Sequence, residues 1–169
     1  MTTGTGTRRE ETNRHGTHPQ PRKRFGQHFL EPAWVTKIVD SLDARSDETF
    51  LEIGPGRGAL TRPLAALAGR LIGVEIDRDL AQLLTDLRLP NLRVIEGDFL
   101  EVDVAELLRD EHLPVRVVGN LPYNVSSPIL FALLDAVDGG RRIRDATLML
   151  QKEVADRLVA TPGHKPYGV

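Results

Sequence analysis

The chain contains no cysteine, which excludes disulfides and thiolate-ligated metal centres and fits a reducing, cytoplasmic setting. Aromatic residues make up only 5% of it, with one tryptophan and two tyrosines, so a ring beside polar residues stands out. No run nears the roughly 18 consecutive apolar residues that a membrane-spanning helix needs. The polar opening also lacks the apolar segment of a secretory signal. No membrane association is therefore expected. His15, His18, His28, His112 and His164 show no metal-ligand spacing, so no metal site is expected either. Ser126 and Ser127 lack the flanking glycines of a nucleophile elbow.

What the chain does have is enough apolar content for one sizeable core: 169 residues, 40% hydrophobic and 27% charged. Its net charge of −2 is unevenly spread. Residues 1–30 carry Arg8, Arg9, Arg14, Arg22, Lys23 and Arg24 against Glu10 and Glu11, a net +4, which leaves −6 on residues 31–169. Residues 1–21, rich in Thr, Gly and Pro, are expected to be a disordered basic tail, and residues 22–169 the folded domain. Such an arm either tracks a phosphate backbone or is only a solubilising leader. Because the body is acidic, any surface for RNA must be local.

Along the body, strands and helices alternate. Pro32–Leu42 has Val35, Ile38, Val39 and Leu42 on one helical stripe. Strands are expected at Thr49–Ile53, Leu71–Ile76, Leu92–Glu96, Val115–Gly119 and Ala146–Leu150. Helices are expected between and after them at Ala59–Ala68, Arg78–Arg88, Val104–Arg109, Pro128–Val137 and Lys152–Ala160. Short apolar strands joined by helices imply a parallel sheet covered on both faces, a doubly wound α/β domain. Ligands of such folds sit beyond the carboxyl ends of the strands.

Four of those ends carry suggestive residues. The first strand runs into L-E-I-G-P-G-R-G-A-L-T, where Gly54, Gly56 and Gly58 allow a tight turn and a close backbone approach. The spacing G-x-G-x-G fails the third position of the dinucleotide fingerprint. Glu52 precedes the turn, and Glu75 ends the second strand, where a carboxylate can accept both ribose hydroxyls of an adenosine. Both S-adenosylmethionine and NAD remain open at this point. Asp98, in E-G-D-F, can accept from an adenine amine beside Phe99, or can simply cap local amides. Asp77 stands where a helix N-cap is wanted.

The fourth strand ends in N-L-P-Y, residues 120–123. An exocyclic aromatic amine is a poor nucleophile because its lone pair is delocalised into the ring. If the side-chain oxygen of Asn120 and the carbonyl of Leu121 accept its two protons, the nitrogen turns tetrahedral and its lone pair can point at a sulfonium methyl. Pro122 fixes the backbone beside that carbonyl, and Tyr123 offers a face on which an extruded base can stack. Orientation and electrostatics would then carry catalysis. The alternative is an ordinary turn. The stripe Ile129, Leu130, Leu133 and Leu134 reads as core packing.

Taken in order, F-G-Q-H-F-L, E-I-G-P-G-R-G-A-L-T, V-E-I-D, E-G-D-F-L and N-L-P-Y-N-V-S-S-P-I-L resemble the ribosomal RNA adenine N6-dimethyltransferases over residues 22–169. The bacterial KsgA type, which modifies small-subunit rRNA, is the nearest, and the Erm resistance methylases are relatives. The resemblance implies a Rossmann-like class I methyltransferase that moves methyl groups from S-adenosylmethionine to adenine N6 in rRNA, a cytoplasmic and monomeric protein. It implies cofactor contacts at His28, Leu30, Gly54, Gly56, Glu75, Asp98 and Asn120, and an amine-holding motif of Asn120, Leu121, Pro122 and Tyr123. Position 28 is often Asn in relatives and is His in this chain. Family members continue past the segment resembling H-K-P-Y-G-V through two more strands and a helical domain, so a chain lacking its last strands is expected. The alternatives weighed beside it are a large-subunit methylase of the resistance type, a non-catalytic RNA-binding assembly factor and an NAD-dependent oxidoreductase.

Overall fold

In the computed structural model, which describes residues 30–111, 114–138 and 143–163 together with Met1, strands and helices alternate along the chain. The basic tail, His28 and the other four histidines lie outside the described residues. Helix α1 (Pro32–Leu42) begins with proline, where a missing N–H costs least, and ends on Asp43 in the left-handed region at φ 45°. It is followed by β1 (Thr49–Ile53), α2 (Thr61–Ala65), β2 (Arg70–Glu75), α3 (Arg78–Thr85) and β3 (Leu92–Glu96). A 3-10 turn (Phe99–Glu101), α4 (Val104–Leu107), β4 (Val115–Asn120), α5 (Tyr123–Asp138), β5 (Ile143–Met149) and α6 (Lys152–Leu158) complete the order.

The strands form one sheet in the order β3-β2-β1-β4-β5, and every neighbouring pair is parallel. Strand β1 is central and buried throughout. Its residues alternate between two cores. Phe50 packs with Val39 and Leu42 of α1, Leu64 of α2, and Val118. Leu51 and Ile53 pack on the other face with Val117, Ile129 and Leu133. Between β1 and β4 the order of the strands reverses, and at such a reversal the connections diverge and leave a crevice at the carboxyl edge.

The opposite edge is closed by charge. Arg116 at the start of β4 donates to Asp145 of β5 at 3.0 Å, to Glu48 ahead of β1 at 3.2 Å and to the carbonyl of Leu42 at 2.6 Å. Its guanidinium also lies 5.0 Å from the centre of the Phe50 ring.

Some boundaries differ from the expectations. Helix α2 is shorter than Ala59–Ala68, because Gly56 and Gly58 hold positive φ and extend the turn. Helix α5 starts five residues before the expected Pro128 and carries that proline inside it. The polar stretch Asn124, Ser126 and Ser127 hides the early start, but Val125, Ile129 and Leu133 fall one turn apart and pack on the core. Leu134, expected in that core, is 59% exposed, because it lies one position off this stripe. Strand β5 begins at Ile143, since Asp145 takes Arg116 from the neighbouring strand and makes a polar start tolerable.

Candidate functional site

The carboxyl ends of all five strands wall one cavity of ≈ 400 Å³. From β1 come Glu52, Ile53 and the glycine turn, from β2 Glu75 and Ile76, and from the end of β3 Gly97 and Asp98. From β4 come Asn120, Leu121 and Pro122, and beyond β5 Leu150 and Gln151. Leu30, just ahead of α1, closes one side. The glycine turn and the Asn-Leu-Pro segment stand side by side, since Ile53 pairs with Gly119 in the sheet register.

The glycine turn is built by backbone conformation. Gly54 and Gly56 have φ of 65° and 59°, the left-handed region that side chains disfavour. A Cβ on Gly54 would meet no protein atom within 4 Å, so the space beside that backbone is open to a ligand. The Gly54 N–H donates to the carbonyl of Val74 at 2.9 Å, and the Gly56 N–H donates to Glu75 Oε2 at 2.7 Å. Glu75 thereby tethers the turn. Its Oε1 accepts from the N–H of Asp77 at 2.9 Å. Burial pushes the Glu75 carboxyl above the usual range, opposed by these N–H donors.

Glu52 lies beneath the turn, 2% exposed, and its Oε2 accepts from the Thr61 hydroxyl at 2.7 Å. Burial pushes its carboxyl up to about 7, against the Thr61 hydrogen bond and with added repulsion from Glu75. Asp98 caps locally, its Oδ1 accepting from the N–H of Leu100 at 3.0 Å, and the residue also lines the cavity. It neighbours Glu75, because the N–H of Gly97 donates to the Glu75 carbonyl at 2.9 Å. Asp77 is the N-cap of α3, accepting from the N–H groups of Asp79 and Leu80.

At the other wall, Asn120 is the last residue of β4, and the N–H of Leu121 donates to the Met149 carbonyl at 3.1 Å. The Leu121 side chain is buried. The Pro122 carbonyl accepts from the N–H groups of Val125 and Ser126, which turns the chain straight into α5. Tyr123 is 56% exposed and does not wall the main cavity; it faces a recess at its rim.

Sequence reasoning missed Thr61, Ile76 and Gln151. Gln151 follows a strand end like the other site residues, and that position was the signal. Ile76 is 45% exposed although large and apolar, and it walls the cavity beside Glu75. Only the fold brings Thr61 to Glu52. Among the described residues there is no cluster of three His, Cys, Asp or Glu able to hold a metal, and no helix long and apolar enough to cross a membrane.

This fold, with a glycine turn, a strand-end carboxylate and an Asn-Leu-Pro segment around one cavity and Tyr123 at its rim, defines a Rossmann-like α/β protein of the methyltransferase class. A dimethyladenosine transferase from Plasmodium falciparum matches it with a TM-score of 0.68 and 32% identity, over 83% of this chain and 50% of that one. The 23S rRNA methyltransferase ErmE matches with a TM-score of 0.66 and 32% identity, over 78% and 50%. A ribosomal RNA small subunit methyltransferase A from Leptothrix cholodnii is 51% identical over 149 residues, 88% of this chain and 54% of the relative. The model of the ribosomal RNA adenine dimethylase family matches residues 19–169, and the chain belongs to that family. It spans about half the length of the curated relatives it matches.

Proposed function

We propose that the protein transfers methyl groups from S-adenosylmethionine to N6 of adenines in small-subunit ribosomal RNA, with residues 22–169 as its methyltransferase domain. One observation carries this: the glycine turn with its strand-end carboxylates and Asn120, Leu121 and Pro122 face each other across a single cavity, with Tyr123 at its rim. The 51% identity to a small-subunit enzyme, against 32% to ErmE, favours the small subunit over the large.

The cavity fits the methyl donor. The open side of Gly54 takes its methionine portion, Glu75 accepts from the ribose hydroxyls through lone pairs that its two backbone donors do not use, and Asp98 accepts from the adenine amine. Ile76 offers an apolar surface to that adenine. S-adenosylmethionine supplies an electrophilic methyl group on a positively charged sulfur.

The chain's own part is to hold the other reactant. Asn120 and the Leu121 carbonyl accept the two N–H groups of the target amine, which localises its lone pair and aims it into the cavity. Pro122 keeps that carbonyl oriented, and the Tyr123 ring stacks on the extruded base. The arrangement contributes positioning and electrostatic stabilisation, and no side chain has to act as a strong base.

Tritiated methyl transfer by the full-length protein to undermethylated small ribosomal subunits, followed by nucleoside analysis, tests this. N6-methylated adenosine is the expected product. Binding of the same RNA without methyl incorporation, unchanged by Asn120→Ala, would instead mark an assembly factor.

A further inference from the structure

Beyond Tyr123 the cavity rim opens on a second recess of ≈ 230 Å³, lined by Tyr123, Asn124, Ser127, Glu153, Val154 and Arg157. Asn124 walls both spaces, so they meet at that residue. Helix α5 supplies the phenol, the amide and the hydroxyl, and α6 supplies the carboxylate and the guanidinium. Such a set suits a ligand with an anionic group, hydroxyls and a flat polar ring.

The cation is held loosely. Arg157 Nη2 lies 3.5 Å from Glu153 Oε1, and both side chains are more than half exposed at 57% and 66%. Exposed pairs of this kind are weak, whereas a phosphate offers a guanidinium a bidentate partner. An adenine reaches the main cavity only when it is extruded from its stack, and the nucleotides on either side of it must then lie along the rim. The recess is at that rim and is too small for a duplex.

We propose that this recess is a subsite for the single nucleotide next to the target adenine, with Arg157 on its phosphate and Asn124 and Ser127 on the polar edge of its base. The subsite rests on the methyltransferase reading above, and it makes the protein sensitive to the neighbour of the base it modifies. Arg157 and Ser127 are exposed on their helices, so truncating them leaves the fold in place.

The test compares hairpin RNAs carrying one unpaired adenine, either intact or with abasic residues flanking it, as substrates of the full-length protein. With the intact RNA, Arg157→Ala is expected to raise KM about tenfold, the size of one charge-assisted contact, with kcat and S-adenosylmethionine affinity unchanged. The slope of log KM against log salt is expected to fall by about one, and Arg157→Lys to restore part of it. Ser127→Ala is expected to narrow the preference of the wild type for intact over abasic-flanked RNA. Equal KM for the two RNAs in the wild type, or an unchanged KM and salt slope in Arg157→Ala, would sink the subsite while leaving the methyltransferase reading intact. Absence of methyl transfer by the wild type to either RNA would overturn that reading, and the subsite with it.

Discussion

Glu75 has two tasks that one substitution removes together. It tethers the glycine turn through the N–H of Gly56, and it is the proposed acceptor for the ribose hydroxyls. Glu75→Ala strands two N–H donors as well, and each lost charge-assisted bond is worth roughly 1.5–3 kcal/mol. Affinity for S-adenosylmethionine is therefore expected to fall by at least about tenfold in isothermal titration, the lower limit for one such bond. Glu52 behaves differently, because its folded pKa of about 7 exceeds the ordinary 4.5. Between those values the folded state holds more protons than the unfolded one, so Glu52 costs stability as pH rises through that window, fully so above it. Glu52→Gln keeps an acceptor for Thr61 and removes the ionisation. Urea titrations are expected to find this variant more stable than wild type at pH 8, by up to about 3 kcal/mol, with the gap closing toward pH 5. An equal gap at both pH values would contradict the assignment. Glu75, Asp98 and Asn120 are legible in the sequence, because each ends a strand and parallel strands share one edge. Thr61 is not, because a threonine at a helix start carries no mark of the carboxylate it will meet.

At the level of elements, the strands are more legible than the helices. Five-residue segments, each with three apolar residues and bounded by polar or turn-forming stretches, identify β1 and β3 to the residue. Helix ends depend on backbone conformation, which glycine and proline obscure: the turn before α2 outlasts its pattern, and Pro128 looks like a start although it lies inside α5. That proline has no N–H for the carbonyl four residues back. Its helix-interior cost of about 3 kcal/mol, less about 1 for the unfolded-state entropy it removes, predicts that Pro128→Ala stabilises by roughly 2 kcal/mol. Chemical denaturation measures this, and an unchanged midpoint would mean that α5 already absorbs the ring without strain. The helix holds despite the ring because Ile129 and Leu133 are buried against the sheet.

For the molecule as a whole, the decisive contact is between β1 and β4, the strands at which the sheet changes direction. A Cβ on Gly119 would stand 3.0 Å from the Ile53 carbonyl and 3.2 Å from the Leu121 side chain. Gly119→Val must push these strands apart, at a cost of about 1–3 kcal/mol, and it would separate the two walls of the cavity. Methyl transfer is expected to drop far more than the folded fraction measured by circular dichroism at the same temperature. Alternating strands and helices make a parallel sheet legible, but the order of its strands is set by crossovers that no residue pattern encodes. At the far edge, Arg116 binds β5, the end of α1 and the approach to β1 without touching the cavity. The domain is thus polarised, one pole anchoring and the other holding the cavity. Substitutions that reshape the cavity can accumulate at its pole while the anchor keeps the sheet assembled.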